Sequence, residues 1–112
     1  MESILISIKK LLNIEDEDHH FDEDLITHIN SVIFILTQVG IGPEDGFAIT
    51  GDTENWADFL GPKLPKLMAI KTYVYLKVRI IFDPPSSSAA IDSINRLISE
   101  FESRLNIASD SN

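Results

Sequence analysis

Apolar residues recur with a helical step along most of this chain. Between Ser3 and Asn13, the positions Ile4, Leu5, Ile8, Leu11 and Leu12 form one stripe, which predicts a short amphipathic helix. Lys9 and Lys10 sit near its C-terminal end, where cations suit the helix dipole. A helix this short is marginal alone, so its stripe must pack on another element. Further on, Leu25, Ile29, Val32, Leu36 and Val39 step by 4, 3, 4 and 3. Ile26, Ile33 and Ile35 widen that ladder into the face of a helix central to the core. Asp22 is the expected N-cap, with Glu23 and Asp24 in the first turn, where acids are favoured. Gly40 and Gly42-Pro43 end the pattern.

Residues 40 to 53 hold four of the five glycines and show no period, so they read as a loop. A short helix through Glu54, Trp56, Phe59 and Leu60 follows, capped by Asp52 or Thr53 and stopped by Gly61-Pro62. Leu64 to Phe82 is the longest apolar-rich stretch, and Pro65 suits the first turn of a helix there. Its stripe is Leu67, Ile70, Val74, Val78 and Ile81. The Ile80-Ile81-Phe82 end has strand character, but Lys71, Lys77 and Arg79 interrupt at helical intervals, which favours helix throughout. Asp83-Pro84-Pro85 is a stop, and one of Ser86, Ser87 and Ser88 would cap a last helix. In that helix Ile91, Ile94, Ile98, Phe101 and Leu105 form a regular seam, with Asp92, Arg96, Glu100, Glu102 and Arg104 on the other faces. No strand pair is visible. The expected fold is all-α: a compact bundle of about three main helices plus two short ones, in one domain over residues 1–107, with a flexible polar tail over 108–112.

Composition narrows the function. At 112 residues the chain has room for one core. Its 18 acids against 9 bases give a formal charge of −9, which argues against coating DNA, because phosphate binding needs clustered Lys and Arg. The absence of cysteine removes disulfides, thiol nucleophiles and thiolate zinc sites. No apolar stretch is long enough to span a membrane. In Met1 to Leu12 an acid precedes the apolar run and lysines follow it, the reverse of a signal peptide. A soluble protein that stays where it is made is expected.

The acidic run Glu15, Asp16, Glu17, Asp18, Asp22, Glu23 and Asp24, with His19 and His20 inside it, is the first place to look for a metal. Asp16, Asp18 and His20 alternate like the opening of a calcium loop, but Phe21 stands where that motif needs Gly and Thr27 where it needs Glu. A solvated acidic surface feeding a helix N-terminus is the simpler reading, so no metal and no cofactor are expected. No nucleophile elbow or phosphate-binding glycine loop is present, and Gly40 and Gly42 end a helix, the wrong end for an anion. The exception to the acidity is residues 62–82, where Lys63, Lys66, Lys71, Lys77 and Arg79 occur without any acid. They either snorkel around a core stripe or form a positive face for an acidic surface, such as that of the next copy of the chain. Trp56 and Phe59 read first as lids on the core and second as interface anchors.

The order of the parts carries a resemblance. A leader helix and acidic link precede Asp22-Glu23-Asp24-Leu25-Ile26-Thr27-His28-Ile29, then a glycine loop and a Trp-centred helix. Leu67 to Val74 leads to Arg79-Ile80-Ile81-Phe82-Asp83-Pro84-Pro85-Ser86-Ser87, and Glu100 to Asn106 closes the pattern. This resembles the small head–tail connector proteins of tailed bacteriophages, also called head-completion or DNA-packaging adaptor proteins. The Phe-Asp-Pro-Pro-Ser-Ser turn and the Glu-x-Glu-x-Arg-Leu-Asn ending are the most specific pieces. The Ile41 to Gly51 link is longer than expected for the family. The resemblance implies a structural virion protein without catalysis, made in the host cytoplasm and placed at the head–tail junction. It implies a ring of about twelve or thirteen copies beneath the portal protein. That ring would extend the DNA channel and dock the next stopper or tail-completion protein, with DNA passing without specific binding. A dozen copies would carry roughly a hundred negative charges, a wall that repels phosphate. The alternative is an acidic helical adaptor, or a DNA-mimic inhibitor, binding a single protein partner.

Overall fold

The computed structural model describes residues 2–107. The flexible tail expected over 108–112 lies outside the described residues. Five α-helices follow in order: α1 (Ile4–Leu11), α2 (Asp22–Gln38), α3 (Trp56–Leu60), α4 (Leu67–Phe82) and α5 (Ser88–Arg104), with a 3-10 helix at Gly61–Lys66. The bundle is all-α with three long and two short α-helices, as the periodicity predicts. Among the described residues the sole β-type pairing is an isolated bridge between Ser3 and Asn55.

The eight-residue α1 is stable because its stripe is buried. Ile4, Leu5, Ile8 and Leu12 all enter the core, at roughly 1.5–3 kcal/mol each, which outweighs the cost of nucleating so short a helix. Ser3 caps it, its Oγ accepting from the Ile6 amide at 3.2 Å. The start of α1 is tied to the chain before α3, with the Ile4 amide donating to the Glu54 carbonyl at 3.0 Å. Below that tie, Trp56 Nε1–H donates to Ser7 Oγ at 2.8 Å, and Ser7 Oγ–H donates to the Ile4 carbonyl at 2.9 Å. The indole nitrogen is therefore satisfied inside the core, as a buried donor must be.

Helix α4 packs against α1, α2 and α5 and is the hub of the bundle, sharing the central place expected of α2. It runs antiparallel to α2. Phe82 at its C-terminal end meets Phe21 just before α2, edge to face with centroids 5.2 Å apart. At the other end, Gly40 and Gly42 after α2 share a recess with Gly61 and Lys63 before α4.

Three helices stop in the same way. Asn13, Gly40 and Asn106 take positive φ of 63°, 87° and 59°, and an isoleucine follows each. The amides of Ile14, Ile41 and Ile107 reach back to the carbonyls of Lys9, Leu36 and Glu102 at 2.9, 3.0 and 2.8 Å. This is the Schellman arrangement, which satisfies end carbonyls and folds an apolar residue back onto the helix. Leu12-Asn13-Ile14 and Leu105-Asn106-Ile107 are the same tripeptide serving the same purpose.

Several local expectations are corrected. Asp22 is the first residue of α2, and no side chain caps the helix at Phe21, because the Asp22 carboxylate is taken by Lys9. Helix α3 is capped by Asn55, in a reciprocal box with Asp58, so Asp52 and Thr53 are not its caps. Gly61-Pro62 turns the chain into the 3-10 helix, which contains Pro65, and α4 starts only at Leu67. Two stripe members, Leu11 and Ile81, face solvent, whereas Tyr73 and Leu76 fill the core beside Ile70, Val74 and Val78. The helix runs through Ile80-Ile81-Phe82 without a strand. Ser87 caps α5, its Oγ accepting from the Ala90 amide at 3.1 Å.

Two side chains fasten the loop of residues 40–53: Glu54 Oε2 accepts from the Thr50 amide at 3.0 Å and hydroxyl at 2.8 Å, and Asn30 binds Ile49. Asn30 Nδ2–H donates to the Ile49 carbonyl at 2.9 Å, and Asn30 Oδ1 accepts from the Ile49 amide at 2.8 Å. The amide group thus pairs with both polar groups of Ile49 as a neighbouring strand would. Ile41 and Ile49 are buried, and Phe47 lies on Phe59 with centroids 5.1 Å apart. Gly42, at φ +93°, sits so close to Phe59 that an added Cβ would stand 2.4 Å from its Cε1.

Candidate functional site

The charged residues separate into those consumed by the fold and those left at the surface. Lys9, which sequence patterning places near the C-terminal end of α1, is 0 % exposed. Its Nζ donates to the carbonyls of Asp16 at 3.2 Å and Asp18 at 2.6 Å and lies 2.9 Å from Asp22 Oδ1. The acidic loop is thus wrapped around a buried ammonium that satisfies its backbone. Asp22 also accepts from His19 Nδ1 at 2.8 Å. Burial pushes the Asp22 carboxyl up, but the hydrogen bonds from Lys9 and His19 and the charge of Lys9 overcome it, and the group lies below its ordinary value. With Lys9 spent inside, the side chains of Glu15, Asp16, Glu17 and Asp18, and of Glu23 and Asp24 in the first turn of α2, all face solvent.

The basic stretch divides in the same way. Lys71 approaches Glu2 at 3.5 Å, and Lys77 lies 3.9 Å from Glu102. Arg79 donates to the Tyr75 hydroxyl at 3.0 Å. Glu102 also accepts from the Tyr73 hydroxyl at 2.9 Å, a contact that ties α5 to α4. Burial, and then the neighbouring Glu102 carboxylate, push the Tyr73 hydroxyl upward, so it stays protonated as the donor. Glu2 is raised by burial but lowered on balance by Lys10 and Lys71. Among the described residues, Lys63 and Lys66 on the 3-10 helix have no carboxylate within 4 Å, and both are exposed.

Trp56 and Phe59 are buried, which is the first of their two readings.

These groups occupy opposite ends of the molecule. The acidic loop lies where α1 ends, α2 begins and α4 ends. The 3-10 helix lies where α2 ends and α4 begins, about 24 Å away along the 16 residues of α4. Large exposed apolar residues accompany both ends: Phe21 and Ile81, 37 % and 63 % exposed, at the acidic end, and Met68, 70 % exposed, beside the 3-10 helix.

No three His, Asp or Glu side chains among the described residues are grouped so as to hold a metal, and no helix among them is long and apolar enough to cross a membrane. The sequence signals that could have revealed the internal anchors were Lys9 inside an apolar stripe, Asn30 on the flank of a core helix, and the repeated Leu-Asn-Ile.

No match to the chain was found among curated proteins or among solved structures. A family model described as phage connector protein matches residues 4–112. Nearly the whole chain is covered, including the Pro-Pro-Ser turn and the closing helix, and the chain belongs to the phage connector protein family.

Proposed function

We propose that copies of this chain form a ring beneath the portal of a tailed phage, at the head–tail junction. There the ring extends the DNA channel and offers a platform for the stopper or tail-completion protein. The observation that carries this reading is the connector family match over residues 4–112. The physical character of the molecule supports it. The chain has a net charge of −9, and among the described residues most of its acidic side chains are displayed at the surface, so a ring of such chains repels phosphate and lets DNA slide through. Its work in this reading is structural, with no bond made or broken. Among the described residues its helices are tied by non-local anchors at Lys9, Asn30, Trp56 and Glu102, as suits a piece that must hold its shape under load.

Electron cryo-microscopy of the neck of purified particles tests the reading. A ring of this chain between portal and tail is expected. Necks whose complete density leaves no place for the chain would overturn it.

A further inference from the structure

We infer that the two ends of the bundle are complementary faces of one contact between copies, in which the Lys63–Lys66 turn and Met68 of one chain dock onto the acidic loop, Phe21 and Ile81 of the next. The inference rests on the connector reading above and names the surface through which its copies would meet.

Three observations carry it. Lys63 and Lys66, the exposed cations of the basic stretch that find no carboxylate within 4 Å among the described residues, are at one end, and the side chains of Glu15, Asp16, Glu17 and Asp18 are exposed at the other. Glu44 and Asp45 follow Pro43 near the basic end, so the positive patch is the turn itself and not the whole end. Each end also exposes large apolar side chains, Met68 at 70 % on one and Ile81 at 63 % on the other. An apolar centre with a charged rim is the ordinary anatomy of a protein interface. Finally, the two faces differ and lie on opposite ends of one chain. A contact between unlike faces repeats from copy to copy and closes into a ring where the rotation allows. A second copy supplies both halves of the match, whereas a foreign partner would have to imitate one of them.

The absence of cysteine makes the contact directly testable. Phage lacking the gene would be complemented with K66C, E17C or the doubly substituted K66C/E17C, and purified particles treated with a flexible bis-maleimide. The double variant should give a ladder of multimers of this chain, and each single variant monomer alone. Dimers from a single variant would show that like faces meet and overturn the contact. So would a double variant that is present in particles and gives no multimers.

A charge swap provides an independent measurement. K63E/K66E should leave heads and tails unjoined, and adding E15K/E17K should restore joining. All four side chains are exposed, so melting temperatures should stay close to wild type. Unchanged joining in K63E/K66E, or loss without restoration, would overturn the pairing while leaving the connector role intact. Complete infectious particles in the absence of the gene would overturn the connector role itself.

Discussion

Lys9 and Asp22 meet at 2.9 Å across the acidic loop that separates them in sequence. Their contact fastens the end of α1 to the start of α2. Because Lys9 is fully buried, Asp22 and the carbonyls of Asp16 and Asp18 stand in for the water it has lost. Breaking one side of a buried pair costs about 3–5 kcal/mol, and Asp22 is partly exposed, which places K9M near the lower figure. Denaturant unfolding should show that loss, and hydrogen exchange should quicken over residues 15–22. A K9M protein as stable as wild type would remove this role.

The same pair sets an acid limit. The folded Asp22 carboxyl lies below its ordinary value of 3.8, so the pair's contribution is fully present above that value. It is lost as the pH falls through the lower folded value. Stability should therefore drop below about pH 4, and the drop should be shallower in D22N, which has no carboxyl there to protonate. Identical acid profiles for the two proteins would contradict the assignment.

Gly40 and Gly42 separate backbone strain from steric clash. Both have positive φ, but an alanine Cβ at Gly40 meets nothing within 4 Å, whereas at Gly42 it meets Phe59 at 2.4 Å. G40A should cost about 1 kcal/mol, the ordinary left-handed penalty. G42A should cost more, because Phe59 sits in packed core and must move. Thermal unfolding of the two variants gives the comparison directly, and equal losses would refute it.

Asn30 is expected to control the loop locally. Asn30→Ala leaves both polar groups of Ile49 unpaired, at about 1–3 kcal/mol. Amide exchange at Ile49 should rise well before that of α2 itself. Unchanged protection at Ile49 would show that Glu54 and the buried Ile41 and Ile49 hold the loop without Asn30.

What could be read from the sequence divides along local and non-local lines. The ladder Leu25, Ile29, Val32, Leu36 and the seam Ile94, Ile98 were legible because a helix imposes its period on the residues it buries. Gly40 and Ser87 were legible because caps follow local rules. The burial of Lys9 was not, since a lysine in an apolar stripe normally reaches water, and only the folded loop supplies the carbonyls that replace it. Ile81 continued the stripe of α4 by spacing alone, yet the last turn of the helix packs through Ile80 and Phe82, and Ile81 is left at the surface. The charged surface was legible as composition, but not the division of the basic stretch. Lys71 and Lys77 find carboxylates from α5 and from the chain before α1, and sequence spacing gives no hint of either.

In the proposed role, the chain joins phage heads to tails. Electron microscopy of lysates from the parent virus with the gene interrupted is the decisive experiment. Full or emptied heads accumulating apart from finished tails are the expected result. Complete, infectious particles would contradict the claim.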